Sequence, residues 1–147
     1  MKTKIWLLCG VPGSGKSTWA AAQNNGIIVS RDEIRFSLLQ PGDDYFAKEK
    51  CVFNQYVQAI KSNIGKVENV YADATHLNWK SRRKIIKALN YDAIGVVVFN
   101  TPVETCLKRN AQREGLRQVP VQRILEAERH KTHPITDNFN YIEIKEV

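Results

Sequence analysis

Residues Gly10-Val11-Pro12-Gly13-Ser14-Gly15-Lys16-Ser17-Thr18 decide how this chain folds. The stretch matches Gly-x-x-x-x-Gly-Lys-[Ser/Thr], the Walker A pattern of a phosphate-binding loop (P-loop). Its glycines let the backbone approach a phosphate closely, so that successive N–H groups point at the anion. Lys16 is expected to reach the β- and γ-phosphates of a nucleoside triphosphate, and the Ser17 hydroxyl to ligate Mg²⁺. We therefore predict ATP binding by Gly13, Ser14, Gly15, Lys16, Ser17 and Thr18.

The flanking residues place this loop between a strand and a helix. Residues 5–9 are a short apolar run typical of a buried parallel strand, and residues 16–22 favour a helix. Further strands are predicted at residues 26–29, 67–71, 93–99 and 141–145, the last at or near an edge. Helices are predicted at residues 30–39, 44–65 and 120–131. Two more helices are predicted, one after a cap at Asn78 and one after a capping box at Thr101–Glu104. The alternation predicts one α/β domain over residues 1–147, with a central parallel sheet of about five strands and helices on both faces.

Composition and charge indicate the cellular location of the protein and the kind of partner it binds. The chain has 147 residues and a formal net charge of +7, which favours polyanionic partners such as nucleic acid. No apolar stretch approaches the ~20 residues of a membrane span, and no signal peptide precedes the first predicted strand. Cys9, Cys51 and Cys106 lack a metal-binding spacing and suit reduced packing residues. These features predict a cytoplasmic protein with no membrane partner, and they do not indicate an oligomeric state.

Two polar side chains follow the second predicted strand. Asp32 and Arg35 lie three residues apart at the start of a helix that Ser30 is expected to cap, so they share a face. Open parallel sheets bind ligands at the carboxyl ends of their strands. There, Asp32 could take a proton from an acceptor hydroxyl, and Arg35 could bind an acceptor phosphate. The alternative is that Asp32 suits the helix dipole and simply pairs with Arg35.

A second acidic residue, Asp73, ends the third predicted strand beside the P-loop. It is a candidate for holding Mg²⁺ through water together with Ser17, or for steadying nearby basic side chains. The residues before it are rather polar for a metal-bearing strand of this kind, and both interpretations stay open. His76 is expected to be a loop residue rather than a ligand.

Basic residues cluster in two further places. Arg109 and Arg113 share a helix face that leads into a polar loop, and we predict an arginine-bearing lid at about residues 113–120. An arginine placed on a transferring phosphoryl group can raise its rate roughly 10³–10⁵-fold. A solvated basic face is the alternative. The run at residues 80–84, with Lys87, lies opposite an apolar face, as expected of a solvent-facing surface or one that follows a polynucleotide backbone.

These motifs together resemble the kinase domain of phage-type polynucleotide 5′-hydroxyl kinases. The resemblance covers most of the chain, in the same order. It departs in the segment after Asp73, which is one residue longer here and has His76 where the family has asparagine. The matching segments are the P-loop with Trp19-Ala20, Ser30-Arg31-Asp32-Glu33-Ile34-Arg35, Asp73 with Leu77-Asn78 and Arg82-Arg83, and Leu107-Lys108-Arg109-Asn110 with Arg113 and Val119-Pro120.

The resemblance implies a single P-loop kinase domain and a role for each matched residue. Asp32 would be the general base on the acceptor 5′-hydroxyl, and Arg35 would bind the adjacent phosphate. The sequence shows no phosphatase domain, so a role in healing nucleic acid ends would need a separate phosphatase or ligase partner. Lys16 and Arg113 would stabilise the transferring phosphoryl group. Arg109 and Val119 would lie near the adenine, and Asp73 would support the lid or the metal site.

The sequence therefore predicts an ATP- and Mg²⁺-dependent phosphotransferase that moves the γ-phosphate to the 5′-hydroxyl end of DNA or RNA. The transfer would be in line and would rely on positioning and charge stabilisation, without a covalent intermediate. Two alternatives stay open, because a fold does not fix its substrate. One is a kinase for a small-molecule hydroxyl, of a nucleoside, sugar or antibiotic. The other is a non-catalytic ATP-binding switch read by a protein partner.

Overall fold

Five parallel strands form the centre of the computed structural model, which describes residues 1–147. The strand order is β2-β3-β1-β4-β5, so β1 lies in the middle of the sheet. This confirms the predicted α/β class and the expected number of strands. The strands are β1 (Lys4–Cys9), β2 (Gly26–Ser30), β3 (Asn69–Asp73), β4 (Ile94–Val98) and β5 (Ile144–Glu146).

Six helices accompany the sheet, and apolar side chains pack on both of its faces. Alternate residues of β1 point to opposite sides, as strand geometry requires. Ile5 and Leu7 join the larger core cluster, whereas Trp6 and Leu8 join a second cluster. None of the helices combines the length and apolar character needed to cross a membrane. The helices are α1 (Lys16–Ala21), α2 (Arg31–Leu38), α3 (Glu49–Lys61), α4 (Trp79–Leu89), α5 (Val103–Ala111) and α6 (Val121–His130), with 3₁₀ helices at Gly115–Arg117 and Pro134–Asp137.

Several boundaries differ from the prediction. Helix α3 begins at Glu49 rather than at residue 44, because Asp43 and Asp44 accept hydrogen bonds from the nearby backbone N–H groups of Gln40 and Phe46. Such local bonds compete with helix formation. Strand β3 begins two residues later than predicted, and β5 covers residues 144–146 rather than 141–145.

The predicted Thr101–Glu104 capping box is wrong. Helix α5 has Pro102 as its N-cap and no side-chain capping bond. The Thr101 hydroxyl donates instead to the backbone oxygen of Ser14, at 2.7 Å. Thr101 therefore ties the start of α5 to the P-loop instead of capping its own helix. Asn78 does cap α4, in a reciprocal capping box with Ser81.

The prediction that the basic run of residues 80–84 faces solvent or a polynucleotide is wrong for Arg82. Its neighbours Arg83 and Lys84 are exposed, but the Arg82 side chain is completely buried. Position 82 lies three residues before Ile85, on the inner face of α4. The guanidinium donates to both carboxylate oxygens of Asp137, at 2.6 and 2.8 Å, and to the backbone oxygen of His76, at 2.8 Å.

We expect Arg82→Ala to destabilise the fold strongly, because it leaves the Asp137 carboxylate buried without its partner. Removing one member of a buried ion pair costs about 3–5 kcal/mol. Urea denaturation at pH 7, followed by circular dichroism, would measure the free energy of unfolding. The matched control is Arg83→Ala, the exposed neighbour, which should change that free energy by no more than ~0.5 kcal/mol. Equal losses in the two variants would contradict the assignment.

Candidate active site

The ends of β1, β2 and β3 lie side by side at one edge of the sheet. In the parallel register, Asp73 is the partner of both Leu8 in β1 and Ser30 in β2. A cavity of about 900 Å³ lies at this edge. Every residue that the sequence predicted for ATP, metal or acceptor lines it: Gly13, Ser14, Gly15, Lys16, Ser17, Thr18, Asp32, Arg35, Asp73, Arg109, Arg113 and Val119.

The P-loop needs glycine for two separate reasons. Gly13 and Gly15 have φ angles of +86° and +95°, which side-chain-bearing residues rarely adopt. In addition, a Cβ at Gly13 would lie 2.8 Å from the backbone oxygen of Cys106 in α5. Lys16 is buried and donates from Nζ to the backbone oxygens of Gly10 and Val11, at 3.1 and 3.0 Å. Burial lowers the pKa of Lys16.

Ser17 and Asp73, the two predicted metal residues, are in direct contact. The Ser17 hydroxyl donates to Oδ2 of Asp73 at 2.6 Å. Burial raises the pKa of the Asp73 carboxyl, which the Ser17 hydrogen bond and the Lys16 charge oppose. These hard oxygen donors fit Mg²⁺, which binds through one or two protein ligands with phosphate oxygens and waters completing its octahedron. The structure has no group of three or more acidic, histidine or cysteine side chains that could hold a metal ion.

Asp32 and Arg35 are brought together, as the alternative interpretation of their spacing predicted. Nη1 of Arg35 lies 2.5 Å from Oδ1 of Asp32, and the Tyr45 hydroxyl donates to the same oxygen at 3.0 Å. Nη2 of Arg35 donates to both carboxylate oxygens of Glu49, at 2.9 and 2.8 Å. Oδ2 of Asp32 has no protein partner, and the Asp32 side chain is 52% exposed. One carboxylate oxygen of Asp32 therefore remains available in the cavity.

Sequence reasoning missed Tyr45 and Glu49, both of which line the cavity. Glu49 binds Arg35 and also contacts Arg31. Burial raises the pKa of Tyr45 to about 12, so the hydroxyl stays protonated and can donate to Asp32. Both residues fall at the start of the helix predicted over residues 44–65, and no local spacing links them to Asp32.

The residues around the predicted lid are anchored at both ends. Nη1 of Arg109 donates to the backbone oxygen of Gly13 at 3.0 Å, and Arg113 lines the cavity beyond it. Asn110 is buried, and its amide bonds both the backbone oxygen and the backbone N–H of Val119, at 2.7 and 2.9 Å. The start and end of residues 110–119 are thus held together, with a 3₁₀ turn between them.

His76 is a loop residue, as predicted, and it is buried. Its Nδ1 lies 2.7 Å from the backbone oxygen of Leu8, and its Nε2 lies 3.2 Å from the Tyr56 hydroxyl. Because a carbonyl oxygen only accepts, Nδ1 carries the proton and Nε2 accepts from Tyr56. Burial lowers the pKa of His76 to about 3, so the ring is neutral at physiological pH.

A phosphate-binding loop that shares one cavity with a carboxylate and several cations has the parts that phosphoryl transfer from ATP requires. The fold and the site define this chain as a P-loop nucleotide-binding protein of the kinase type. A family model described as "AAA domain" matches residues 5–133, and the chain belongs to this family.

The resemblance to polynucleotide kinases is confirmed by two further similarities. A protein of the Autographa californica nuclear polyhedrosis virus, provisionally named bifunctional polynucleotide kinase/RNA ligase, is 26% identical over 94% of this chain. A chain in the structure of a Pnkp1/Rnl/Hen1 complex is 26% identical over 74% of this chain, with a TM-score of 0.61. This chain spans only 22% of the viral protein and 39% of the solved chain.

Two more distant structures share the fold. Chaetomium thermophilum Kti12, solved with ADP-AlF3, aligns over 97% of this chain and 88% of its own, with 15% identity and a TM-score of 0.65. A gluconokinase from Sinorhizobium meliloti aligns over 99% of this chain and 81% of its own, with 18% identity and a TM-score of 0.61. These similarities confirm the single α/β domain with its five-stranded parallel sheet.

We expect the buried His76 to make stability depend on pH. Its pKa is about 3 when folded and about 6.5 when unfolded. Between these values the unfolded chain binds the proton and the folded protein does not. His76 therefore lowers the free energy of unfolding as the pH falls from 6.5 towards 3, by up to ~1.4 kcal/mol per pH unit.

Urea denaturation at pH 7, 6 and 5 would test this dependence. The variant His76→Asn keeps a residue that tolerates the positive φ of this position. It should be less stable than the wild type at pH 7, and the difference should shrink as the pH falls. The exposed His130→Asn is the control and should leave the difference constant. A constant difference for His76→Asn as well would show that the prediction is wrong.

Proposed function

We propose that this protein transfers the γ-phosphate of ATP to the 5′-hydroxyl end of DNA or RNA. The observation that carries the proposal is the single cavity that the P-loop shares with the Asp32–Arg35 pair of α2. A phosphate donor held at one side would face a carboxylate at the other. The similarity to a protein named polynucleotide kinase/RNA ligase and to a Pnkp1 complex supports a polynucleotide as acceptor.

In this proposal Asp32 accepts the proton of the acceptor hydroxyl through Oδ2, the oxygen without a protein partner. Arg35 and Tyr45 hold the other oxygen and so fix the orientation of the carboxylate. Arg35 would also bind the first acceptor phosphate. Its Nη1 and Nη2 already bond Asp32 and Glu49, and its Nε is buried, so the phosphate would take the place of one of these carboxylates at the guanidinium.

The remaining residues would serve the donor. Lys16 and Arg113 would neutralise charge on the transferring group, and Arg109 and Val119 would lie near the adenine. Mg²⁺, when bound, would supply positive charge that offsets the charge of the phosphates. Ser17 would hold it directly and Asp73 through water. We also propose that residues 113–120 act as the lid and that a separate phosphatase or ligase works with this protein in healing nucleic acid ends.

A small-molecule kinase is the second candidate function. The gluconokinase similarity extends over nearly the whole chain, and a cavity of about 900 Å³ lies in the range of small-ligand sites. A non-catalytic ATP switch is the third candidate, and it would transfer phosphate to no acceptor.

One acceptor panel separates these functions. Radiolabelled ATP and Mg²⁺ would be incubated at low salt with 5′-hydroxyl DNA and RNA oligonucleotides, nucleosides, gluconate and other sugars, and an aminoglycoside. Label on the oligonucleotides alone, or with at least 100-fold higher kcat/KM, is the expected result. Label restricted to a small molecule would replace the proposal by the second function, and label on no acceptor would favour the switch.

We expect Asp32→Asn to lower kcat about 10²–10⁴-fold, the usual contribution of a general base. ATP affinity should change less than threefold, because Asp32 lies on α2 and not on the P-loop. Phosphorylation kinetics and equilibrium binding of a fluorescent ATP analogue would measure the two effects. Asp92→Asn makes the same chemical change at an exposed site outside the cavity and should keep full activity. Undiminished transfer by Asp32→Asn would remove the general-base assignment.

A further inference from the structure

Arg35, Tyr45, Phe46 and Arg123 contact one another in the cavity lining, and we name these four side chains the arginine–aromatic strip. Cζ of Arg35 lies 4.5 Å from the ring centre of Tyr45. Cζ of Arg35 also lies 5.5 Å from the ring centre of Phe46. The rings of Tyr45 and Phe46 meet edge to face, with their centres 4.8 Å apart. Cζ of Arg123, from α6, lies 4.4 Å from the ring centre of Phe46. All four residues line the cavity.

Arg123, like Arg113, lines the cavity with a guanidinium that no protein acceptor uses. Arg35 bonds two carboxylates and Arg109 bonds the P-loop backbone, whereas Arg123 forms no ion pair and no side-chain hydrogen bond. Its contact is with the face of Phe46, which holds the guanidinium plane and leaves its N–H donors free. The mechanism proposed above does not use this cation.

The strip has the composition of a site for single-stranded nucleic acid. Such sites combine positive charge that follows the backbone with aromatic side chains that bases contact. Phe46 is 36% exposed, so part of its ring is accessible to a ligand. The strip begins beside Asp32, where Tyr45 and Arg35 bond the carboxylate, and it ends at Arg123. A strand whose 5′-hydroxyl lies at Asp32 would therefore run along the strip.

We propose that Arg123 binds the second backbone phosphate of a single-stranded acceptor, and that Phe46 holds Arg123 in place and contacts the intervening nucleoside. This inference rests on the proposed function, in which Arg35 takes the first phosphate. It makes the enzyme selective for acceptors with at least two phosphates beyond the 5′ nucleoside. A nucleoside 3′-phosphate reaches Arg35 but not Arg123.

The test compares a short with a longer acceptor. Wild type and Arg123→Ala would be assayed with radiolabelled ATP on thymidine 3′-monophosphate and on a 5′-hydroxyl thymidine hexanucleotide. We expect the wild type to prefer the hexanucleotide. Arg123→Ala should lower kcat/KM about tenfold on the hexanucleotide, as for loss of one charged hydrogen bond, and less than twofold on the mononucleotide. The variant should unfold at the same urea concentration as the wild type, since Arg123 is exposed.

A binding measurement gives a second readout. The dissociation constant of a fluorescent hexanucleotide would be measured by anisotropy between 50 and 300 mM salt, with ADP and Mg²⁺ present. Loss of one phosphate contact should reduce the slope of log Kd against log salt by about 0.7. Arg123→Lys keeps the charge without the planar contact, so it should retain the slope and show intermediate kcat/KM. Arg129→Ala, on the same helix but outside the cavity, is the matched control and should change nothing.

The outcomes separate this inference from the function on which it rests. Equal losses on both acceptors, or an unchanged salt slope, would overturn the assignment of Arg123 while phosphorylation of 5′-hydroxyl ends stands. The same holds if the wild type uses the mononucleotide as efficiently as the hexanucleotide. If the wild type phosphorylates no 5′-hydroxyl acceptor, the proposed function fails and the inference fails with it.

Discussion

The register between β1, β2 and β3 is the constraint on which the rest of the structure depends. Because Asp73 is paired with both Leu8 and Ser30, the carboxyl ends of all three strands lie level with one another in the sheet. The P-loop continues from β1, and α2 continues directly from β2, so the two segments lie on either side of Asp73. A slip of one residue would turn Asp73 to the opposite face of the sheet. In the observed register the Ser17 hydroxyl donates to Asp73.

The buried ion pair between Arg82 and Asp137 holds the loop that follows Asp73 at this edge of the sheet. Arg82 in α4 joins the 3₁₀ helix Pro134–Asp137 to the loop after β3, because it binds Asp137 and the backbone oxygen of His76 at once. His76 in turn bonds the backbone of Leu8, in the strand that leads to the P-loop. Such pairs are costly to desolvate, and an apolar replacement often gives equal stability. We interpret this one as a device that fixes the loop after Asp73 rather than as a source of stability.

The sequence allowed the fold and the donor side of the site to be predicted, because their signals are local. The P-loop residues are contiguous, and the buried strands are short apolar runs. The acceptor side depends on contacts between distant segments. Arg82 meets Asp137 across 55 residues, and no helical spacing records that partner. Glu49 and Tyr45 reach Arg35 because α3 begins only at Glu49, whereas the apolar periodicity predicted a helix from residue 44.

The two arginine–aspartate pairs of this chain show how one interaction can serve different ends. Asp137 is fully buried, and Arg82 and the Tyr141 hydroxyl occupy both of its oxygens. Asp32 is half exposed, and Arg35 and Tyr45 share only its Oδ1. The first carboxylate is buried with both oxygens bonded, so no ligand reaches it and the pair serves the structure. The second arrangement fixes the carboxylate through one oxygen and leaves the other in the cavity. Pairing with Arg35 therefore does not argue against a chemical role for Asp32, because it is the contact that would keep the free oxygen oriented.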